Sequence, residues 1–229
     1  MLPRQRQGPA TPPRGRLALV AGSSLRRAQL PQGDWETLQR HGEAAAYVLP
    51  HRIDHVANMR ALAEAGCDRV FALGSVGGLR PELGPGTFVC PDDFIALTGP
   101  PLSALEGAAA HRLAGFDPEW RRRVCEAFAE VGVEVRDGGV YWQTQGPRLE
   151  TAAEIRVIAS HADVVGMTVA SECSAAGDLG LRYAAVCVVD NLANGIGDDD
   201  LTIEELERGR ERNRTRLVEA LSGALPRLS

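Results

Sequence analysis

Three short apolar runs, each followed by small or polar residues, constrain the fold of this 229-residue chain more than any other feature. Residues 17–21 lead into Gly-Ser-Ser, residues 69–73 into Gly-Ser-Val-Gly-Gly, and residues 184–189 into Asp-Asn. Apolar runs of this length without polar alternation are typical of strands in a sheet that is covered on both faces. The sequence therefore predicts a single α/β domain over residues 16–229, with a central mixed β-sheet flanked by helices.

Helix signals lie between the predicted strands. Residues 53–65 carry apolar side chains at helical spacing. Asp117-Pro118 supplies an N-cap followed by proline at the first helical position, and the helix that it opens is expected to run to Glu130. Residues 151–154 and 202–205 both read Thr-x-x-Glu, which is the pattern of a capping box.

Composition and charge exclude several classes of partner. The net charge is −5 and all 25 basic residues are arginine; because an acidic chain is poorly suited to a phosphate backbone, we expect no nucleic-acid partner. The five cysteines are odd in number and lack CxxC spacing, which argues against a disulfide framework or a metal site and favours reduced thiols in a cytoplasmic protein. No apolar stretch has the length of a membrane span. Residues 1–15, rich in Pro, Gly and Arg, are predicted to be a disordered tail rather than a signal peptide.

Two glycine-containing segments are candidate anion-binding turns, Gly22-Ser23-Ser24 and residues 74–78. Open α/β sheets bind ligands at the carboxyl ends of their strands, and glycine lets backbone N–H groups approach an anion closely. The alternative is that each is simply a tight turn. Neither is a P-loop or a dinucleotide fingerprint, since no lysine follows and the GxGxxG spacing is absent, and a generic nucleotide-binding module is therefore disfavoured.

An Arg40-His41 pair and Glu150 are the next candidates along the chain. An arginine can hold phosphate through two parallel hydrogen bonds, although the pair could equally be a solvated surface feature. Glu150 lies between a predicted strand and a capped helix, where its carboxylate either belongs to a turn or faces a pocket rim.

Two further polar groups follow predicted strands. In Met167-Thr168, the methionine fits either the core or a ligand contact, and the threonine fits either an N-cap or a phosphate ligand. Asp190-Asn191 follows the most apolar strand, where polar groups either cap a turn or face a ligand.

These residues occur in an order that resembles the trimeric purine nucleoside phosphorylases and their methylthioadenosine and methylthioinosine phosphorylase relatives. The resemblance runs from about Leu17 to about Leu221 and is densest in GPRLETAAEIRVIASHADVVGMTVASE and GLRYAAVCVVDN. The Arg-His-Gly triplet and the segment HRIDHVANMRALAEAGCDRV resemble the methylthio branch in particular.

The resemblance implies a site with three parts. The phosphate ligands correspond to Ser23, Arg40, His41, Ser75 through its backbone N–H, and Thr168. The sugar contacts correspond to Met167 and to His111 from a neighbouring subunit, and the base contacts to Glu150 and Asn191. The family also implies a homotrimer that takes a purine nucleoside, with inorganic phosphate as co-substrate and with neither a cofactor nor a metal.

The two base-contacting residues predict which purine is read. Relatives that act on 6-aminopurines resemble one another in an Asp at the position of Asn191, in a TDYD motif. A carboxylate only accepts hydrogen bonds, whereas the Asn191 amide can donate to N7 or O6, and Glu150 can accept from the N1–H of a 6-oxopurine. The sequence therefore favours inosine, guanosine or 5′-methylthioinosine, with Asn191 stabilising the leaving base.

Three departures from the family pattern keep two other functions open. The stretch Glu43-Ala44-Ala45-Ala46 lacks the second His that the methylthio branch has shortly after Arg-His-Gly, and an apparent one-residue insertion precedes His51. Ser171 replaces a Pro, and Leu149 replaces an aromatic residue beside the base. The alternatives are a hydrolytic nucleosidase of the same fold, which the retained Arg-His pair disfavours, and a purine-binding protein without catalysis.

Overall fold

The computed structural model describes residues 15–26, 28–40, 52–97, 103–197 and 201–229. Within these residues one nine-stranded sheet is flanked by five α-helices, which confirms the predicted mixed α/β class. The strands are β1 (Arg16–Ala21), β2 (Trp35–Gln39), β3 (Cys67–Gly78), β4 (Phe88–Cys90), β5 (Asp93–Ile95), β6 (Arg136–Asp137), β7 (Val140–Gln143), β8 (Val164–Gly166) and β9 (Arg182–Leu192). The helices are α1 (His55–Glu64), α2 (Pro118–Ala129), α3 (Ala152–Ile158), α4 (Val169–Asp178) and α5 (Ile203–Leu228).

Strand β3 organises the sheet. It runs parallel to β9 from Arg69 to Gly78, and parallel to β1 in its first half, while its last two residues pair antiparallel with β8. The β1 pairing reaches Ala72 and the β8 pairing begins at Gly77. One edge of β3 is therefore open between these two positions, and the cavity described below lies there.

Two strands are longer than the sequence predicts. The segment Gly74–Gly78 is not a turn, because it continues β3 and pairs with residues 187–192 of β9, which likewise continues through Asp190-Asn191. The glycines serve close packing: a Cβ on Gly74 would lie 2.8 Å from Cys187 Sγ, and one on Gly78 would lie 2.3 Å from the Leu83 carbonyl oxygen. Local composition indicated a turn, and the long-range pairing with β9 overrides it.

The core lies on both faces of the sheet, as the uninterrupted apolar strands predict. Along β9 the side chains alternate: Ala185, Cys187 and Val189 pack in the cluster that includes α1 and α4 residues, and the intervening side chains pack in the cluster that includes α2 and α5 residues. All five cysteines are free, and Cys125 alone among them is half-buried rather than buried.

Capping residues begin the helices where the sequence predicts. Asp117 accepts from Trp120 N at 2.7 Å with Pro118 as the first helical residue, and Thr151 forms both bonds of its capping box. Thr202 accepts from Glu205 N at 3.2 Å and begins α5. In the described part of the chain no helix has the length and apolarity needed to cross a membrane.

Candidate active site

A cavity of about 220 Å³ lies at the open edge of β3, between the ends of β1 and β2 on one side and the end of β8 on the other. The first turn of α5 and the loop before α3 complete its wall. Seven of the residues singled out from the sequence line it together: Ser23, Arg40, Ser75, Glu150, Met167, Thr168 and Asn191. The structure thus gathers into one site residues that are up to 168 positions apart, counted from Ser23 to Asn191.

Two of the candidate residues are not in this group. His41 lies outside the described residues, as do residues 42–51. His111 follows a short 3-10 turn on an exposed loop, away from the cavity of its own chain.

Arg40 is buried, so the surface alternative is wrong for it. Its side chain is 2% exposed and forms a two-bond ion pair with Glu172, from Nε to Oε1 and from Nη2 to Oε2, the latter at 2.7 Å. Nη1 donates to the Leu73 carbonyl oxygen at 2.9 Å. Glu172 lies 132 positions further along the chain, which is why local sequence gave no sign of the pair.

Ser23 and Ser24, in the loop after β1, face different surroundings. Ser24 is buried and its hydroxyl donates to Asp190 Oδ2 at 3.3 Å, whereas the half-buried Ser23 lines the cavity. Ser23, Ser24 and Leu25 form a single turn of 3-10 helix, which follows Gly22. This loop therefore presents Ser23 to the cavity and uses Ser24 as an anchor.

Ser75 also donates its hydroxyl to Asp190 Oδ2. In a strand the backbone groups of alternate residues face the same edge, so the Ser75 N–H is expected on the edge that Leu73 presents to Arg40. That edge is the open one, because β1 pairing has ended before this point. The hydroxyl is engaged beneath the cavity, and the backbone N–H is the group left for a ligand.

Asp190, which the sequence placed either in a turn or at a ligand, is buried and its carboxylate accepts several hydrogen bonds. Besides the two serines, Asn213 Nδ2 donates to its Oδ1 at 2.9 Å, and Arg210 Nε lies 3.7 Å from its Oδ2. Burial raises the pKa of the carboxyl group, and the hydrogen bonds from Ser75 and Asn213 oppose that rise. Asp190 joins the loop after β1, the middle of β3 and helix α5 beneath the cavity.

Thr168 occupies the N-cap position of α4, but its hydroxyl makes no capping bond. The backbone N–H groups of Thr168 and Val169 instead donate to the buried hydroxyl of Tyr141, at 3.2 and 3.4 Å. The N-cap alternative is therefore right for the position and wrong for the side chain. Met167 is half-buried and lines the cavity rather than the core.

Glu150 and Asn191 also line the cavity, and both are half-buried. Asn191 Nδ2 donates to the Leu192 carbonyl oxygen at 2.7 Å, and the Glu150 backbone carbonyl accepts from Asn194 Nδ2 at 3.1 Å. An amide and a carboxylate thus line the same cavity, and together they offer a donor and an acceptor suited to the edge of a planar base.

The α5 side of the cavity combines apolar residues with two arginines. Leu201, Ile203 and Leu206 line it together with Arg26 and Arg210. Glu207 connects the two arginines, at 3.4 Å from Arg26 and 2.8 Å from Arg210. This end is consequently apolar with a compensated charge cluster beside it.

Comparison with known proteins gives the class to which this fold and site belong. The sequence matches the Phosphorylase superfamily over residues 20–226, and the chain is a member of that family. It is 41% identical over 183 residues to a protein of Archaeoglobus fulgidus named a probable 6-oxopurine nucleoside phosphorylase, covering 79% of this chain and 74% of that one. It is 38% identical over 199 residues to a probable S-methyl-5′-thioinosine phosphorylase of Xanthomonas campestris, covering 83% and 76%.

The fold has solved counterparts as well. A methylthioadenosine phosphorylase from Schistosoma mansoni, in complex with tubercidin, superimposes with a TM-score of 0.80 over 93% of this chain and 91% of that one. The two sequences are 20% identical, so this likeness concerns the fold.

Proposed function

We propose that the chain is a purine nucleoside phosphorylase, a pentosyltransferase that cleaves the N-glycosidic bond of 6-oxopurine nucleosides with phosphate. The products are the free base and ribose 1-phosphate or 5-methylthioribose 1-phosphate. One observation carries the proposal: a single cavity is lined by the candidate phosphate ligands Ser23, Arg40 and Thr168 together with the candidate base ligands Glu150 and Asn191. The names of the two relatives at 38–41% identity support it.

The chemistry follows from having candidate phosphate ligands and candidate base ligands in one cavity. The C1′–N9 bond breaks with its electron pair passing to the purine, and the sugar passes through an oxocarbenium-like state, as in glycoside hydrolysis. A phosphate held beneath C1′ stabilises the cation and then forms the C1′–O bond, so no covalent enzyme intermediate is required. Ser23, Arg40, His41, Thr168 and the Ser75 backbone N–H would orient the phosphate. No cofactor or metal takes part in this scheme.

Asn191 is assigned the catalytic contact with the leaving base. Its amide donates to N7 or O6 as negative charge develops there, which lowers the barrier more than it stabilises the ground state. Glu150 accepts from N1–H, which a 6-oxopurine carries and adenine lacks. A base that leaves these groups unpaired would be rejected by about 10⁴-fold.

The neighbouring subunit is assigned the second sugar contact. The family resemblance implies this contact, and the side chains of His111 and of Leu113, which is 94% exposed, are both accessible to another subunit. We therefore propose a homotrimer in which this loop crosses to the next subunit and brings His111 to its sugar site. Light scattering that finds a fully active monomer would refute this assembly.

The experiment for the function is the incubation of inosine with the purified protein, with and without phosphate. Hypoxanthine release that requires phosphate is the expected result. Release without phosphate would identify a hydrolytic nucleosidase, and inosine binding without release would identify a purine-binding protein.

A further inference from the structure

We infer that Glu172 is a positioning residue of the phosphate site, which holds the Arg40 guanidinium in the orientation that turns its remaining N–H groups toward the cavity. The inference rests on the proposed function, because it assigns a role within that site. Glu172 itself does not line the cavity.

The bonds of Arg40 define the orientation. Two N–H groups are taken by the Glu172 carboxylate and a third by the Leu73 carbonyl oxygen. A guanidinium has five N–H groups in a rigid plane, so one on Nη1 and one on Nη2 remain without a bond to the described part of the chain. Fixing the three on the protein side fixes the direction of the other two, and the cavity is the open space that Arg40 lines.

Gly22 shows how closely the first loop approaches this plane. A Cβ at that position would lie 2.7 Å from Arg40 Nη1 and 2.7 Å from the Leu73 carbonyl oxygen. The guanidinium is thus packed directly against the loop that carries Ser23, and only a glycine allows that approach. Arg40 and Ser23 can then serve the same anion.

Glu172 is suited to hold a cation without losing its own charge. Its side chain is 1% exposed, and its second oxygen also accepts from the Tyr183 hydroxyl at 2.7 Å, while His55 Nδ1 lies 3.7 Å from the first. Burial raises the pKa of the carboxyl group, but the charge and hydrogen bonds of Arg40 outweigh burial and lower it to about 2. The carboxylate stays ionised at any working pH.

Stability alone gives no reason for the pair. Replacing a buried ion pair by well-packed apolar residues is commonly neutral or stabilising, because two charges must be desolvated to bury it. The pair also brings no net charge to the cavity, since the carboxylate compensates the guanidinium. What it supplies is direction: two fixed donors at the cavity wall, already oriented before phosphate arrives.

The test is the variant Glu172→Gln, with phosphate KM, inosine KM and kcat measured separately. Glutamine keeps the shape but offers one acceptor oxygen and a clashing NH₂ donor, so the guanidinium can no longer make both bonds. We expect phosphate KM to rise about tenfold or more, the loss of one charge-assisted hydrogen bond, with inosine KM within about twofold. Glu172→Asp keeps the charge and shortens the arm; it serves if the glutamine variant does not fold, and the same direction of change is expected.

Tyr183→Phe is the matched control. It removes an equally buried hydrogen bond from the same carboxylate and leaves the Arg40 bonds in place, so phosphate KM is expected to stay within about twofold of wild type. Unchanged phosphate KM in a folded Glu172 variant would overturn the inference. It would also be overturned if phosphate KM and inosine KM rose equally in the Glu172 and Tyr183 variants.

The two proposals fail in different ways. A wild-type protein that releases base without phosphate refutes the function and leaves phosphate KM undefined. A wild-type protein that depends on phosphate, combined with a Glu172 variant of normal phosphate KM, refutes the positioning role alone.

Discussion

The Asn213 side chain on α5 donates to Asp190 Oδ1 at 2.9 Å, and this bond ties helix α5 to the strand that carries Asn191. The same amide donates to the Val189 carbonyl oxygen at 3.0 Å. One turn earlier, Gly209 lies so close that a Cβ there would be 2.1 Å from the Asp190 carbonyl oxygen. The α5 residues that line the cavity are therefore positioned by contacts behind them, at Gly209 and Asn213.

Gly209→Ala is predicted to destabilise the protein, although alanine is the better helix former. The gain in helix propensity is about 1 kcal/mol, whereas overpacking against a backbone atom costs about 1–3 kcal/mol, and a 2.1 Å approach belongs at the upper end. Urea unfolding should show a lower midpoint, and inosine KM should rise because the α5 wall moves. Gly84→Ala is the control, since a Cβ there meets nothing within 4 Å; a Gly209 variant as stable as this control would contradict the packing account.

The parts of the fold that the sequence predicts are those encoded locally. Asp117-Pro118 and Thr151-x-x-Glu154 specify helix starts through bonds that span three residues, and both form as expected. The apolar runs predict a sheet covered on both faces because each strand carries its own pattern. The ends of β3 and β9 depend on pairing between segments more than 100 residues apart, and there local composition was misleading.

The candidate site shows the same difference between what local sequence predicts and what long-range contacts determine. The family resemblance indicated residues that do meet in one cavity. It did not indicate that Arg40 is buried, because its partner Glu172 lies on a different element. A glutamate in a stretch of small residues, Ala-Ser-Glu-Cys-Ser-Ala, was the available signal, since such a helix face is normally buried and a charge there requires a partner.

Arg40→Ala is predicted to weaken phosphate binding and the fold together. Losing a charge-assisted contact of about 1.5–3 kcal/mol raises phosphate KM by about 10- to 150-fold, and the abandoned Glu172 charge destabilises the protein by about 3–5 kcal/mol. Kinetics and thermal unfolding measure the two effects. Arg122→Ala removes an exposed arginine from a pair with Glu126 on α2 and should change neither. The assignment of Arg40 is wrong if its replacement leaves phosphate KM at the wild-type value.

Asn191→Asp is predicted to lower kcat/KM for inosine and guanosine, because the donor amide becomes an acceptor that repels O6 and N7. Relative activity should shift toward adenosine, with the gain limited by Glu150. The measurement is kcat/KM for the three nucleosides in both proteins. A wild-type preference for adenosine over inosine would show that Glu150 and Asn191 do not read the base as assigned.

The 5′ end of the nucleoside is predicted to meet an apolar wall. Ile203 and Leu206 lie three residues apart on α5 and both line the cavity. Burying one methyl-sized group contributes about 0.8 kcal/mol, so 5′-methylthioinosine should exceed inosine in kcat/KM by several-fold. Leu206→Ala should reduce that ratio, and a clear wild-type preference for inosine would reject the assignment of this wall.

The sugar product shows whether phosphate or water is the nucleophile. Inosine is incubated with the protein and phosphate in water enriched in ¹⁸O, and the sugar is identified by ³¹P NMR and mass spectrometry. We expect ribose 1-phosphate in equal amount to hypoxanthine, with no ¹⁸O at C1′, because the new C1′–O bond comes from phosphate. Free ribose carrying ¹⁸O at C1′ at the earliest times sampled, with phosphate unconsumed, would contradict it.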